Sequence, residues 1–333
     1  MSENILEISD LVVEYTSDKT VIHALNGINL TVKKGETFGL VGETGAGKTT
    51  IARAILRILQ TPPAKVCSGK IVFEGEDLLA VSEKEMRKIR GDKIAMIFQD
   101  PMTALNPVQK VGNQIAEAIS LHKTDKDGKK YSKVKAAEEA MKMLELVGIP
   151  ADRYDEYPHQ FSGGMKQRVV IAMALACNPI LLLADEPTTA LDVTIQAQVL
   201  DMMADLKKAF NTSVIMITHD LGIIAETCDS VAVVYAGEIV ECGTAEDIFD
   251  RTAHPYTKGL FNSLPRLDTT ERRLKPIKGL MPDPTNLNPG CKFYDRCEYA
   301  TPACKDTHPE NLDVGGGHLV RCLLTEKGEG GAK

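Results

Sequence analysis

The chain has 333 residues, 43% hydrophobic and 26% charged, with a formal net charge of −7. That composition suits a globular domain of about 200–250 residues plus an appendage. The acidic balance excludes a basic footprint for nucleic acid. No apolar run approaches the ~18 residues that span a bilayer. The acidic start, Met1 to Glu7, has no apolar export region, so the expected place is the cytosol or the cytosolic face of a membrane. Eight cysteines in such a chain argue for metal or free thiols over disulfides.

In chain order, Leu6–Tyr15 and Gly27–Val32 read as strands, as do Thr37–Val41, Lys70–Phe73 and Ile94–Phe98. This early region is expected to be mostly antiparallel. Lys48–Gln60 reads as a helix, with Ile51, Ile55, Leu56 and Leu59 at helical spacing. Residues 108–148 turn helical, interrupted by an exposed loop over Lys123–Lys130. From Gly163 the pattern alternates: a helix to about Cys177, strand Ile180–Ala184, helix Thr194–Phe210, strand Ser213–Thr218. Such alternation implies right-handed crossovers and a parallel sheet. Strands follow at Ser230–Tyr235 and Glu238–Glu241. After Thr252 the composition shifts, and Pro255, Pro265, Pro276, Pro282, Pro284 and Pro289 punctuate a separate extension. The domains expected are therefore 1–252, with a helical subdomain at about 100–178, and 253–333.

Gly42-Glu43-Thr44-Gly45-Ala46-Gly47-Lys48-Thr49 fits G-x-x-x-x-G-K-[ST], the phosphate-binding loop of nucleoside triphosphatases. Its glycines let backbone N–H groups curl around a phosphate, and the first residues of the following helix, Lys48, Thr49 and Thr50, add its positive end. Lys48 can reach the β/γ-phosphates, and the Thr49 hydroxyl can ligate Mg²⁺. An apolar strand ends in Asp185-Glu186. In a P-loop fold Asp185 falls near the Mg²⁺, and Glu186 sits where a base polarises the attacking water. The next strand ends at His219, which can hydrogen-bond the γ-phosphate or that water. Ser162-Gly163-Gly164 opens another helix, with Ser162 as a good N-cap, and builds a second anion site. One chain cannot easily fold both sites onto one γ-phosphate. Two subunits facing head to tail would sandwich ATP between a P-loop and the partner's Ser-Gly-Gly.

With these motifs in this order, the chain resembles the ATP-binding subunit of an ATP-binding-cassette transporter over about residues 5–250. The resemblance implies an α/β P-loop fold: a RecA-like parallel-sheet core with an antiparallel β subdomain and a helical subdomain. It implies ATP and Mg²⁺ as ligands, with Thr49, Gln99 and Asp185 toward the Mg²⁺. Gln99 resembles the Q-loop residue, Ser162–Gly164 the signature loop, Asp192 the loop crossing the dimer interface, and His219 the switch histidine. Tyr15 resembles the aromatic that stacks on adenine, although as an alternating strand residue it reads equally as core. The family usually has Leu-Ser-Gly-Gly-Gln where this chain has Phe-Ser-Gly-Gly-Met. Both Glu186 and His219 are present, so this chain's own P-loop site should hydrolyse ATP.

Gln99-Asp-Pro-Met-Thr-Ala-Leu-Asn-Pro107 and His254-Pro-Tyr-Thr-Lys-Gly-Leu260 resemble segments of the dipeptide, oligopeptide and nickel importers. The long Pro-rich extension is similar to that of the peptide-importing members. The resemblance then implies a peripheral subunit on the cytoplasmic face of the cell membrane. Its implied partners are a second, related ATPase chain, two transmembrane permease subunits and an extracytoplasmic peptide-binding protein. Glutathione, a nickel chelate or an oligosaccharide are alternative solutes, and a soluble non-transport cassette ATPase is an alternative class. Cys291, Cys297, Cys304 and Cys322 have the spacing C-x5-C-x6-C-x17-C, without the C-x2–4-C pair usual for structural zinc. All-thiolate ligation suits a [4Fe–4S] cluster, which the resemblance also implies; zinc and free thiols are the other readings. A fourth reading is a redox sensor built on these thiols with ATPase output.

Overall fold

The computed structural model describes residues 4–17, 20–125, 127–189, 191–263 and 276–326. Residues 264–275 of the expected extension, Pro265 included, lie outside them. The chain opens with β1 (Asn4–Ser17) and β2 (Thr20–Lys33), then β3 (Thr37–Val41) and α1 (Lys48–Ile55). β4 (Ala64–Phe73), β5 (Glu76–Asp77), α2 (Glu83–Ile89) and β6 (Ile94–Ile97) follow. A helical stretch holds α3 (Pro101–Ala104), α4 (Val111–His122), α5 (Lys133–Leu146) and α6 (Gly163–Leu175). Then come β7 (Leu181–Asp185), α7 (Val193–Phe210), β8 (Ser213–Ile217), α8 (Leu221–Thr227), β9 (Ser230–Tyr235) and β10 (Glu238–Thr244). Helices α9 (Ala245–Asp250), α10 (Pro255–Asn262) and α11 (Ala303–Asp306) precede the short β11 (Leu312–Asp313) and β12 (Leu319–Val320).

Two compact units divide these elements. One comprises Met1–Ile5, Lys33–Glu36 and Ala80–Met216; the other Leu6–Val32, Thr37–Leu79 and Ile217–Lys333. In the second unit, β2-β1-β4-β5 form a sheet, with β1–β4 and β4–β5 antiparallel as expected. The β1–β4 register shifts between Ser9 and Val13. There Asp10 takes a φ of 47° and Gly69 one of 101°, and a Cβ on Gly69 would come within 2.5 Å of the Leu11 Cα. Only glycine admits so close a strand crossing, so the bulge is fixed by Gly69. The second unit also carries the run β11-β12-β10-β9-β3, in which β3 and β9 are parallel. In the first unit β8, β7 and β6 are neighbours and β6–β7 is parallel. β3, β7 and β8 are buried at every position, which is why each reads as an unbroken apolar run and not an alternating one.

Two differences from the sequence reading have physical causes. The helix expected over Lys48–Gln60 stops at Ile55. Arg57 takes a left-handed φ of 51°, while Arg57 N–H donates to Ala54 O at 3.0 Å and Ile58 N–H to Arg53 O at 3.0 Å. That is a Schellman ending with arginine where glycine is usual, so no sequence signal marks it. Helix α2 was not anticipated, although Ser82 and Glu85 form a full capping box at its start. The compact unit that carries the P-loop also includes Ile217–Lys333.

Candidate nucleotide site

In the second unit, β3 delivers the chain to the P-loop and α1 receives it. Gly42, Gly45 and Gly47 have φ of 147°, 85° and 111°. A Cβ on Gly42 would lie 2.1 Å from Val234 O, and one on Gly47 would lie 2.9 Å from a Leu25 methyl and 3.0 Å from Ala24 O. The loop is therefore pressed against β2 and β9 at two of its glycines and admits no side chain there. Gly45 has open space around it, and it and Thr44 are exposed. The turn after β9 grips the loop's far end: Gly237 N–H donates to Ala46 O at 2.9 Å, and Asn26 N–H to Gly237 O at 2.8 Å. Asn26 Nδ2 also donates to Ala236 O at 2.9 Å. Lys48 is 7% exposed and folds back over the loop, its Nζ donating to Gly42 O at 2.6 Å and Glu43 O at 3.0 Å. A buried ammonium poised inside a ring of left-handed glycines, open at Thr44 and Gly45, fits a polyphosphate.

Tyr15 lies near the end of β1, opposite Ala64, and is half-buried, not core. Thr49 and Thr50 occupy the first turn of α1 and are half-buried. His219 is exposed, just after β8, and Asp220 beside it caps α8 by accepting from Gly222 N–H at 2.8 Å and Ile223 N–H at 3.3 Å.

The first unit holds the other candidates. β7 ends in buried Asp185, 2% exposed, and is followed by Glu186, which takes a left-handed φ of 49°. A non-glycine residue in that conformation is uncommon and strained, and here the side chain beyond it is held by partners. Glu186 Oε2 accepts from Gln99 Nε2 at 3.0 Å and from Thr189 Oγ1 at 2.9 Å. Gln99, which the sequence reading set toward the Mg²⁺, thus touches Glu186 directly, and both this contact and the Thr189 hydroxyl were missed by sequence reading. Ser162 caps α6, its side chain accepting from Met165 N–H at 3.4 Å. Gly163 has nothing within 4 Å of a built Cβ, whereas on Gly164 a Cβ would come within 2.6 Å of the Ile195 Cγ2. Ile195 N–H in turn donates to Asp192 Oδ1 at 3.0 Å, so Asp192 caps α7. Another unforeseen residue, Arg153, braces the Ser-Gly-Gly turn. Its guanidinium lies 4.7 Å over the Phe161 ring, its Nη2 donates to Gln160 O at 3.3 Å and its Nη1 reaches Met165 Sδ at 3.4 Å. Met165, the departure from the usual signature, thereby gains a contact of its own.

In the extension, Cys291 N–H donates to Cys304 O at 2.9 Å, and Cys291, Cys297 and Cys322 each feel the charge of others in the set. Burial pushes the Cys291 thiol up to about 12 and Cys297 to about 11, and it raises Cys322 as well. Yet among the described residues no group of three or more His, Cys, Asp or Glu is disposed to hold a metal ion. The expected four-cysteine metal site is therefore not supported: the thiols share a neighbourhood without forming a coordination shell.

Residues 25–189 match the ABC transporter family model, and residues 240–304 match the oligopeptide/dipeptide transporter C-terminal region. The dipeptide transport ATP-binding protein DppD of Bacillus subtilis (strain 168) is 48% identical over 98% of this chain and 96% of its own length. The chain belongs to the ABC transporter ATP-binding subunits. This ABC ATPase is also 49% identical to the oligopeptide transport ATP-binding protein OppD of B. subtilis, over 96% of this chain and 88% of that protein. OppD of Haemophilus influenzae is 46% identical over 96% of this chain and 97% of its own. Among solved structures, the dimeric cassette MJ0796 bound to ADP and Pi has a TM-score of 0.64 at 25% identity, covering 72% of this ABC ATPase and 98% of that chain. No helix among the described residues is long and apolar enough to cross a membrane.

Proposed function

We propose that this ABC ATPase hydrolyses ATP to drive import of di- or oligopeptides, docked as a peripheral subunit on the cytoplasmic face of two permease subunits. A related ATPase chain and an extracytoplasmic peptide-binding protein complete the assembly. One observation carries the reading: similarity to dipeptide and oligopeptide transport ATP-binding proteins runs through both the cassette and the extension. In this reading the P-loop from Gly42 to Thr50 holds the phosphates, with Lys48 on the β/γ-oxygens and Tyr15 on the adenine. Thr49, Asp185 and Gln99 would hold Mg²⁺, which supplies charge neutralisation at the transferring phosphoryl group. Glu186 takes the proton of the attacking water, with Gln99 and Thr189 orienting its carboxylate, and His219 steadies the γ-phosphate. Ser162, Gly163, Gly164 and Asp192 face the nucleotide of the partner ATPase.

Two observations support the roles at the carboxylate. Glu186 is held as an acceptor by two donors, and its strained backbone fixes where the carboxylate points. Gly163, at the first position of α6, meets nothing in its own chain, as a residue kept small for an external ligand would. The finer reading of the four thiols as ligands of a [4Fe–4S] cluster rests on donor chemistry alone. Anaerobic purification with about four iron and four acid-labile sulfide per chain supports it, and zinc without sulfide rejects it. The functional test is uptake of labelled di-, tri- and pentapeptides by native cells carrying Glu186→Gln. Loss of uptake is expected, with the length profile naming the substrate class. Undiminished uptake of all three moves the solute to another class, such as glutathione, a sugar or a metal chelate.

A further inference from the structure

The second residue of the P-loop, Glu43, is tied on every side, and two of its ties come from the extension. Its N–H donates to the Tyr256 hydroxyl at 2.9 Å. Its carboxylate is gripped at both oxygens by Arg296, with Nη1 to Oε2 at 2.6 Å and Nη2 to Oε1 at 3.0 Å. Its carbonyl accepts from Ala46 N–H at 3.1 Å and from Lys48 Nζ at 3.0 Å. Glu43 is thus fastened behind the loop and is not a free phosphate contact.

Both anchors are themselves held rigidly. The Arg296 side chain is 5% exposed, and its Nε donates to Lys278 O at 2.9 Å. Its guanidinium lies 5.8 Å over the Tyr235 ring and 6.0 Å over that of Phe293, and its hydrogen bond to Glu43 raises its pKa further. Tyr256 is fully buried and packs against Tyr235 with ring centroids 4.5 Å apart and against Phe293 at 5.4 Å. His254 caps α10, its Nδ1 accepting from Tyr256 N–H at 3.0 Å, and so fixes where Tyr256 enters. A bidentate guanidinium–carboxylate pair at low exposure is directional as well as strong, so it sets loop geometry and does not merely add attraction.

We propose that Arg296 and Tyr256 are positioning residues for nucleotide binding. Through Glu43 they hold the P-loop in its phosphate-receiving shape, so the extension sets the affinity of the cassette for ATP. This rests on the reading of residues 42–50 as the ATP site. The loop's shape depends on left-handed glycines, each free to relax into other conformations. Freeing Glu43 removes the restraint on the loop's entry, and the lost order must then be recovered by the ligand at the cost of affinity.

The test is a double-mutant cycle on the purified full chain, reading the Kd of a non-hydrolysable ATP analogue together with the steady-state KM and kcat. Arg296→Ala and Glu43→Ala should each weaken binding about tenfold, within the range of couplings between sites. The double variant should be no weaker than either single one, because both remove the same tie. Arg296→Lys, which keeps the charge without the fork, should recover only part of the loss. Tyr256→Phe keeps the buried ring and should weaken binding about threefold, which covers the case in which Arg296→Ala fails to fold. For Arg296→Ala and Tyr256→Phe, KM should rise while kcat holds. If folded Arg296→Ala and Tyr256→Phe bind the analogue like the wild type, or if the two alanine losses simply add, the proposal is overturned. Lys48→Ala separates the two readings: a wild-type chain that binds no better than Lys48→Ala rejects the ATP site itself, whatever Arg296 does.

Discussion

Two helix N-termini in this chain carry glycine-rich turns, and they are built on opposite terms. At the P-loop the glycines are demanded from within, because Gly42 and Gly47 touch backbone and all three have positive φ. At the signature turn Gly163 meets nothing of its own chain, and only Gly164 is constrained, by Ile195. The first cradle is complete in one chain and restrained from behind; the second is open. A glycine explained by its own chain reports architecture, whereas Gly163, left unexplained by it, is the one to test for an external ligand.

The sharpest way to break this contrast is Gly42→Ala. A Cβ 2.1 Å from Val234 O at a φ of 147° cannot be accommodated. The expected result is destabilisation of about 3 kcal/mol or more, with nucleotide binding lost; urea unfolding and analogue binding check both. The next largest effect is on pH. His254 is fully buried, and burial brings its pKa from an ordinary 6.5 down to about 4, although Glu241 nearby opposes that shift. Because the folded state favours the neutral ring, this stability is complete above pH 6.5 and is lost as pH falls from 6.5 toward 4. The loss runs at up to about 1.4 kcal/mol per pH unit. Unfolding curves at pH 7, 6 and 5 should show it, and His254→Asn, which keeps a capping acceptor, should flatten the slope.

At the open turn, Gly164→Ala should cost about 1–3 kcal/mol, because Ile195 must move and carry the start of α7 with it. Gly163→Ala should leave stability unchanged or raise it by up to about 1 kcal/mol, since alanine favours helix. Its ATPase rate in the assembled transporter should nevertheless fall. A Gly163→Ala chain with normal turnover would remove the ground for the external-ligand reading of that turn.

Much of this was legible in the sequence, and the gaps have causes. β3, β7 and β8 were readable because burial on both faces demands apolar residues at each position. The P-loop turn was readable because a loop pressed against β2 and β9 demands glycine at fixed spacing, and the close of β7 because its apolar run stops at the Asp185-Glu186 pair. The end of α1 was not, because Arg57 adopts a conformation that sequence assigns to glycine. Nor were the ties to Glu43. Tyr256 falls within the noted segment His254–Leu260, but nothing in a tyrosine says which backbone N–H its hydroxyl accepts. Arg296 is 253 positions from its carboxylate. Arg153 escaped for the same reason: guanidinium placement is a tertiary fact. The four cysteines are the converse case, in which a suggestive spacing gathers thiols without arranging a coordination shell among the described residues.

The separation between Glu43 and Arg296 has a consequence for biogenesis. At roughly 5–20 residues per second of synthesis, the P-loop emerges from the ribosome about 13–50 s before the residue that fastens it. During that interval β3 and α1 can form, but the ring of glycines between them lacks its rear anchor. Tight nucleotide binding is thus a property the nascent chain acquires only after the extension has emerged and closed behind the loop. A chain cut short before Arg296 that still folds its cassette would hold ATP less tightly.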